Sequence, residues 1–389
     1  MSGRTDEKSI MIRLRLEFIL VLMTAMVLGL DGFSGDWIRT AQVVIDGSGS
    51  DEGMSLLKDE DGGRLKSPRT WLEYCQEKHN GQEGAYTVLR CDFGPTEYSQ
   101  LIADDSIPCK VWGWDFHLNR LRESVLSLSK NDNIAQNFLT GKVLDCAHTS
   151  SEKLLRVFLK DFHDVQYCSE RNFTLMITLL WTPIQSSTNM TSLIVEGHAC
   201  EVSITRNPDP IDLVLALDSL ESKRSLPRRY DTNPQSKLSG WCNRRKSLEN
   251  YFQIQPSIKE IILCMHNSEP ENSQCIKLLE GLTSNLFVVE KSGTLRTAHE
   301  EVLHGYARTL FLEAAQSCRR SISFESPSLL DLKTGRIEEI FITSSIRIGV
   351  PVKKVFVLEN ETLHEIWSKE SEHFPRFSSL LQQVYYLAT

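Results

Sequence analysis

Glu280-Gly-Leu-Thr-Ser-Asn-Leu-Phe-Val-Val289 is the stretch on which the reading of this chain turns. Its second half, Leu286 to Val289, is a short apolar run rich in β-branched and aromatic residues, which predicts a strand. Its first half places an acid and a glycine before that strand, and an isolated Glu-Gly is ordinarily a solvated turn. Moving outward, strands are expected at Ile340 to Thr343, Glu260 to Cys264 and Ile211 to Ala216, with helices over about Lys237 to Phe252 and Leu303 to Cys318. Arg206-Asn-Pro-Asp-Pro210 interrupts any regular element, because each proline removes a donor and biases the residue before it away from helix.

Before that break, Thr70 to Gln76 is expected to be helical and Ala85 to Cys91 a strand. Asp115 to Ser129 sets Phe116, Leu118, Leu121, Val125 and Leu128 near one helical face. A further helix is expected at Ser151 to Phe162, with Ser151 as its cap, followed by strands at Phe173 to Trp181 and Leu193 to Ile204. Residues 46 to 69 are rich in Gly, Asp and Ser and lack either periodicity, so they read as a flexible lead-in, with the globular part starting near Pro68. Helices and strands interleave through both halves, which gives an α/β (α+β) class in two domains: a lead-in at 1–64, an N-terminal α/β domain at 65–205 and a C-terminal domain at 206–389.

Composition narrows the function classes. The 389 residues are 41% hydrophobic and 24% charged, enough apolar side chain for sizeable cores. The formal net charge is -8 and no long basic run occurs, which argues against a nucleic-acid partner. Ten dispersed cysteines form no Cys-x-x-Cys pair, which disfavours a zinc ribbon; they suit the reduced thiols of an intracellular protein, in the cytosol or an organelle. The uncharged stretch Phe18 to Leu30, behind Arg13 and Arg15, is too short to span a bilayer but long enough for a signal peptide, so a secretory route stays open. Asn-x-Thr triplets at Asn172, Asn189 and Asn360 do not settle the compartment.

Several familiar motifs fail on spacing. Val43 to Gly49, with Gly53 beyond, imitates a dinucleotide loop, but its third glycine is one residue late and no helix pattern follows. His299 and His304 stand five apart, where a zinc-protease pair needs four to share a helix face. No Gly-x-Ser-x-Gly elbow and no phosphate-binding Walker loop is present.

Six segments, in order, resemble one known family: Gly84-Ala-Tyr-Thr-Val-Leu-Arg90, His117-Leu-Asn-Arg-Leu121, Ser236-Lys-Leu-Ser-Gly-Trp241, Glu280-Gly-Leu-Thr-Ser-Asn285, Gly305-Tyr-Ala-Arg308 and Phe341-Ile-Thr-Ser-Ser345. From about residue 65 to 358 the chain is similar to the class IV aminotransferases, which use pyridoxal 5'-phosphate (PLP) and include branched-chain and D-amino acid aminotransferases and aminodeoxychorismate lyase. Each segment alone is a weak signal; the order carries it. The resemblance implies a fold-type-IV PLP enzyme, with a smaller N-terminal α/β domain and a larger C-terminal α/β pseudo-barrel domain, assembled as a homodimer and acting on an amino acid and a 2-oxo acid.

What the resemblance implies can be stated residue by residue. Lys237 would hold PLP as a Schiff base and move protons at the substrate Cα, with Lys246 as its competitor. The separation from Lys237 to Glu280 exceeds the family's, and the hydrophilic insertion His266 to Gln274 can absorb the excess. Glu280 would keep the pyridine nitrogen protonated. Arg120, the backbone of Tyr306 and Ala307, and Ser344 and Ser345 would take the phosphate, and Tyr86 would lie beside the cofactor. The glycine-rich lead-in expected before Gly84 is absent, and Thr87 stands where many aminotransferases carry glutamate but where aminodeoxychorismate lyase too has threonine. A lyase and a non-catalytic member of the same fold therefore stand as alternatives.

Overall fold

A computed structural model describes residues 38–46, 48–49, 51–56, 68–93, 109–128, 138–166, 173–185, 190–217, 234–249, 256–266, 276–359 and 362–388. The N-terminal apolar stretch, the three Asn-x-Thr asparagines and most of the hydrophilic insertion lie outside the described residues.

The first half is a six-stranded antiparallel sheet in the order β2-β1-β6-β5-β3-β4. Its strands are β1 (Ile38–Asp46), β2 (Asp51–Leu56), β3 (Ala85–Phe93), β4 (Cys109–Val111), β5 (Phe173–Gln185) and β6 (Met190–Val202). Helix α1 (Pro68–Lys78) covers one face, where Trp71, Leu72 and Cys75 pack with Tyr86 and Leu180. Helices α2 (Trp114–Leu128) and α3 (Gly141–Gln166) cover the other, their Leu118, Leu121, Leu155 and Phe158 packing onto Leu89, Ile177 and Val195.

The second half curls a sheet into a barrel. Its strands are β7 (Ile211–Ala216), β8 (Ile258–His266), β9 (Ile276–Gly281), β10 (Asn285–Glu290), β11 (Leu295–Arg296), β12 (Ile322–Ser323), β13 (Ile337–Ser344), β14 (Ile348–Glu359) and β15 (Thr362–Ser368). The order β10-β13-β14-β7-β8-β9 is closed by pairing of Asn285 with Glu280, so closure occurs inside the stretch Glu280 to Val289. Leu286 and Val288 join one apolar cluster with Leu213, Ile262, Ile342 and Val352. Phe287 and Val289 point the opposite way, under α6 (Tyr306–Ser317) and α8 (Pro375–Ala388). A strand covered on both faces reads as a continuous apolar run rather than an alternation, as Leu286 to Val289 does. Short helices α4 (Gly240–Arg244), α5 (Lys246–Glu249) and α7 (Leu329–Lys333) complete the described elements.

Several expectations are corrected. Residues 46 to 69 are not wholly a lead-in: β1 lies beside β6 from Ile38 to Asp46, and β2 pairs back onto β1 through the turn that resembled a dinucleotide loop. The low apolar content of β2 hid a strand that pairs with β1 from Ala41–Leu56 to Ile45–Asp51. Ser151 does not cap a helix but sits inside α3, donating to the Ala147 carbonyl and accepting from Trp181 Nε1. On α2 the buried face carries His117, Arg120 and Ser124 beside Leu118, Leu121 and Val125, while Phe116 and Leu128 are half-buried. Lys237 to Phe252 is not one helix: Lys237 precedes any helical turn, and α4 starts at Gly240.

Among the described residues the eight cysteines are all unbridged and mostly buried, and no helix is long and apolar enough to cross a membrane.

α3 packs tightly on the sheet at Gly197, where a Cβ would lie 2.7 Å from Phe158 Cε2. Gly197→Ala should therefore cost about 1–3 kcal/mol by overpacking, and Phe158→Ala about 3–5 kcal/mol by leaving a cavity. Measured by urea denaturation, the double variant should be more stable than the sum predicts, since each change relieves the other; strict additivity would show that this contact does not set the spacing.

Candidate active site

The residues singled out from the sequence come together in one cleft between the two halves. Tyr86, Arg120, Lys237, Glu280, Ala307, Ser344 and Ser345 all line it. Tyr306 does not: its ring packs against Phe116 and His117, at centroid separations of 5.5 and 5.6 Å. Lys246 is also elsewhere, half-exposed on α5 with Glu73 at 3.1 Å.

Lys237 is placed by a strap, Ser236 to Ser239, held from two sides. Tyr86 N–H donates to the Lys237 carbonyl at 2.9 Å, and Ser239 N–H donates to the Gly84 carbonyl at 2.8 Å. From α2, Ser124 Oγ accepts from the Lys237 N–H at 3.0 Å, and Ser127 Oγ accepts from Ser236 Oγ at 2.7 Å. Lys237 Nζ lies 4.9 Å from the centroid of the Tyr86 ring, a cation–π distance. The role expected of Tyr86 beside the cofactor thus coincides with direct contact to the lysine.

Glu280 is buried at the end of β9, not in a solvated turn. Its Oε2 accepts from Leu303 N–H at 3.1 Å and Asn285 Nδ2 at 3.3 Å. Asn285 in turn donates to the Leu303 carbonyl and accepts from Gly305 N–H at 3.2 Å. The carboxylate is thereby tied to the entry of α6, whose first N–H groups at Tyr306 and Ala307 have no carbonyl one turn back to bind.

Arg120 is fixed from the N-terminal half. Its Nη2 donates to Thr87 Oγ1 at 2.7 Å and lies 3.1 Å from His117 Nδ1, while Thr87 Oγ1 and His117 Nδ1 are 2.6 Å apart. This network assigns Nδ1 as an acceptor, hence a neutral ring. Burial, reinforced by the charges of Arg120 and Lys237, holds the His117 pKa well below the ordinary histidine value. Thr87, the residue that invited the lyase alternative, supports the arginine.

The sequence reading missed three cations of the cleft: Arg245, Arg308 and Arg347. Arg245 Nε donates to Glu249 at 2.9 Å. Arg308 Nη2 donates to the Ala298 carbonyl, its Nε is buried without a hydrogen bond, and burial pulls its pKa down to about 10 against the pull of Glu280. A charge set between apolar neighbours, as in Ile346-Arg347-Ile348, was the available signal.

The donor chemistry fits PLP. An amine, a buried carboxylate, an excess of arginine and a helix N-terminus face one cavity. Arg308 Nε and Thr343 Oγ1, on two of its lining residues, are buried with no hydrogen-bond partner.

No protein-family profile and no curated protein matches the chain. Solved structures do. A fold IV-transaminase from Curtobacterium pusillum has a TM-score of 0.52 at 15% identity, over 89% of this chain and 99% of its own. A PLP-bound hypothetical aminotransferase from Mycobacterium tuberculosis has a TM-score of 0.50 at 12% identity, over 89% and 99%. A branched-chain aminotransferase from Thermoproteus uzoniensis with norvaline has a TM-score of 0.50 at 14% identity, over 90% and 95%. The chain has the fold of the fold-type-IV transaminases, as the resemblance implied.

A neutral His117 makes stability depend on pH. The unfolded chain protonates this ring below about 6.5 and the folded chain does not, so stability is complete above that pH and falls as pH drops towards the depressed folded value. Between pH 7.5 and 5.5 this should remove about 1 kcal/mol. Urea midpoints of wild type and His117→Asn should show a smaller loss in the variant; equal losses would mean that His117 is protonated in the fold.

Proposed function

We propose that the protein is a PLP-dependent enzyme of aminotransferase type, acting on an amino acid and a 2-oxo acid. The observation that carries this reading is the convergence of Lys237, the buried Glu280, Arg120 and the start of α6 on one cleft. A homodimer is proposed with it, on the resemblance alone.

Bound there, PLP would supply an aldehyde that engages an amino group and a pyridine ring that draws electron density from the substrate Cα. Arg120, its fork already oriented by Thr87 and His117, would hold the phosphate. The N–H groups of Tyr306 and Ala307 and the hydroxyls of Ser344 and Ser345 would complete that end. Glu280 would hold a proton at the pyridine nitrogen, its position fixed by Leu303 and Asn285. Lys237 Nζ would anchor the cofactor and move the proton at the substrate Cα, as general base and then general acid. Its strap holds the Lys237 backbone by hydrogen bonds from Tyr86 and to Ser124.

Incubation with PLP, borohydride reduction and peptide mapping test this. A phosphopyridoxyl adduct is expected on Lys237 and absent in Lys237→Ala; Glu280→Gln should keep the adduct while amino transfer falls by roughly a hundredfold or more. An adduct on Lys246 would move the site, and the absence of any specific adduct would overturn the reading in favour of a non-catalytic member of the fold.

A further inference from the structure

The cleft holds a second anion receptor. We propose that Arg347, on the turn between β13 and β14, is the carboxylate-binding residue of this protein, taking a carboxylate of the amino acid or 2-oxo acid. This rests on the function proposed above for the identity of the ligand, but not for the receptor itself.

Arg347 is only 8% exposed and lines the cleft. Among the described residues its guanidinium donates no hydrogen bond, and Nη1 is fully buried without a partner. Its nearest countercharge is Glu260, with Oε2 3.9 Å from Nη2, beyond hydrogen-bond reach. Glu260 cannot serve it better, because both its oxygens are occupied. Oε1 accepts from Ile261 and Leu282 N–H, and Oε2 accepts from the hydroxyls of Thr283 and Ser284, each at 2.8 Å. Glu260 therefore offsets the charge of Arg347 without using its donors. Burial lowers the Arg347 pKa, which Glu260 opposes.

A buried guanidinium with unused donors is costly, and a carboxylate matches its planar fork with two parallel hydrogen bonds. The backbone reinforces the placement. Ser344 Oγ accepts from Arg347 N–H at 3.3 Å, and the next residue, the fully buried Ile348, is held at φ +61°, where β-branched residues rarely sit. The arginine of the phosphate end is held by other partners, Thr87 and His117, and Ser344 meets Arg347 at its backbone N–H, not at its guanidinium. Arg245, the other cation facing Glu260, already has Glu249.

The test uses full-length protein loaded with PLP, as wild type, Arg347→Met and Arg347→Lys. Calorimetric titration with 2-oxoglutarate and 2-oxobutyrate should show Arg347→Met weakened by roughly thirtyfold or more, with PLP affinity within about threefold of wild type. Loss towards both acids assigns the α-carboxylate; loss towards 2-oxoglutarate alone assigns a side-chain carboxylate. Unchanged affinity for both acids, or a loss of PLP affinity in place of acid affinity, overturns the proposal. Should Arg347→Met fail to fold, thermal unfolding of wild type decides: glutarate should raise Tm where glutaramide does not, and Arg347→Lys should reduce the shift. Equal shifts from the two compounds overturn it. A wild type that takes up no PLP overturns the proposed function, and the glutarate comparison still tests Arg347.

Discussion

Everything in the cleft depends on the strap from Ser236 to Ser239. It carries the lysine, yet it belongs to no helix, and its backbone is held by hydrogen bonds from the start of β3 on one side and from two serines of α2 on the other. Ser239 is fully buried, and its Oγ accepts from Gly84 N–H and from Gln76 Nε2. These contacts join the N-terminal sheet, two of its helices and the segment leading into the barrel. They also fix Lys237 over Tyr86, so the position of the amine is a property of how the halves meet.

The acids of the barrel are organised by a single turn. Leu282, Thr283 and Ser284 satisfy Glu260, while Asn285 and Leu303 satisfy Glu280. Two carboxylates on neighbouring strands are thereby buried with their oxygens hydrogen-bonded. Trp241 Nε1 donates to the Leu282 carbonyl at 3.0 Å, which ties α4 to the same turn. Around this acidic pair the arginines are held in place by protein partners, Arg120 by Thr87 and His117, Arg308 by Ala298 and Arg347 by the charge of Glu260. Such prior placement lowers the ordering cost of taking up an anion.

Legibility followed local physics. The α2 helix and the strands β3, β5, β7, β8, β10 and β13 were readable because each carries its own apolar period or run. The strand β2 was not, since Asp51-Glu-Gly-Met lacks that signal and gains its order from pairing with β1. Ser151 looked like a cap because serine prefers that place; its actual partners, Ala147 and Trp181, exist only once α3 lies on β5. The helix expected to start at Lys237 starts only at Gly240, because the Lys237 carbonyl and the Ser239 N–H are taken by Tyr86 and Gly84 and Leu238 bridges to Ala85.

By itself the sequence determined an interleaved α/β chain, the break at Arg206 to Pro210, and the residue types of a PLP-like site in a recognisable order. Those features are carried by neighbours along the chain. Only the tertiary structure decided that Lys246 lies outside the cleft that Lys237 and Glu280 line, that Thr87 serves Arg120, and that Arg347 enters the cleft. Each of these is a contact between residues far apart in sequence, set by barrel closure and the packing of the two halves, and spacing along the chain carries no record of it.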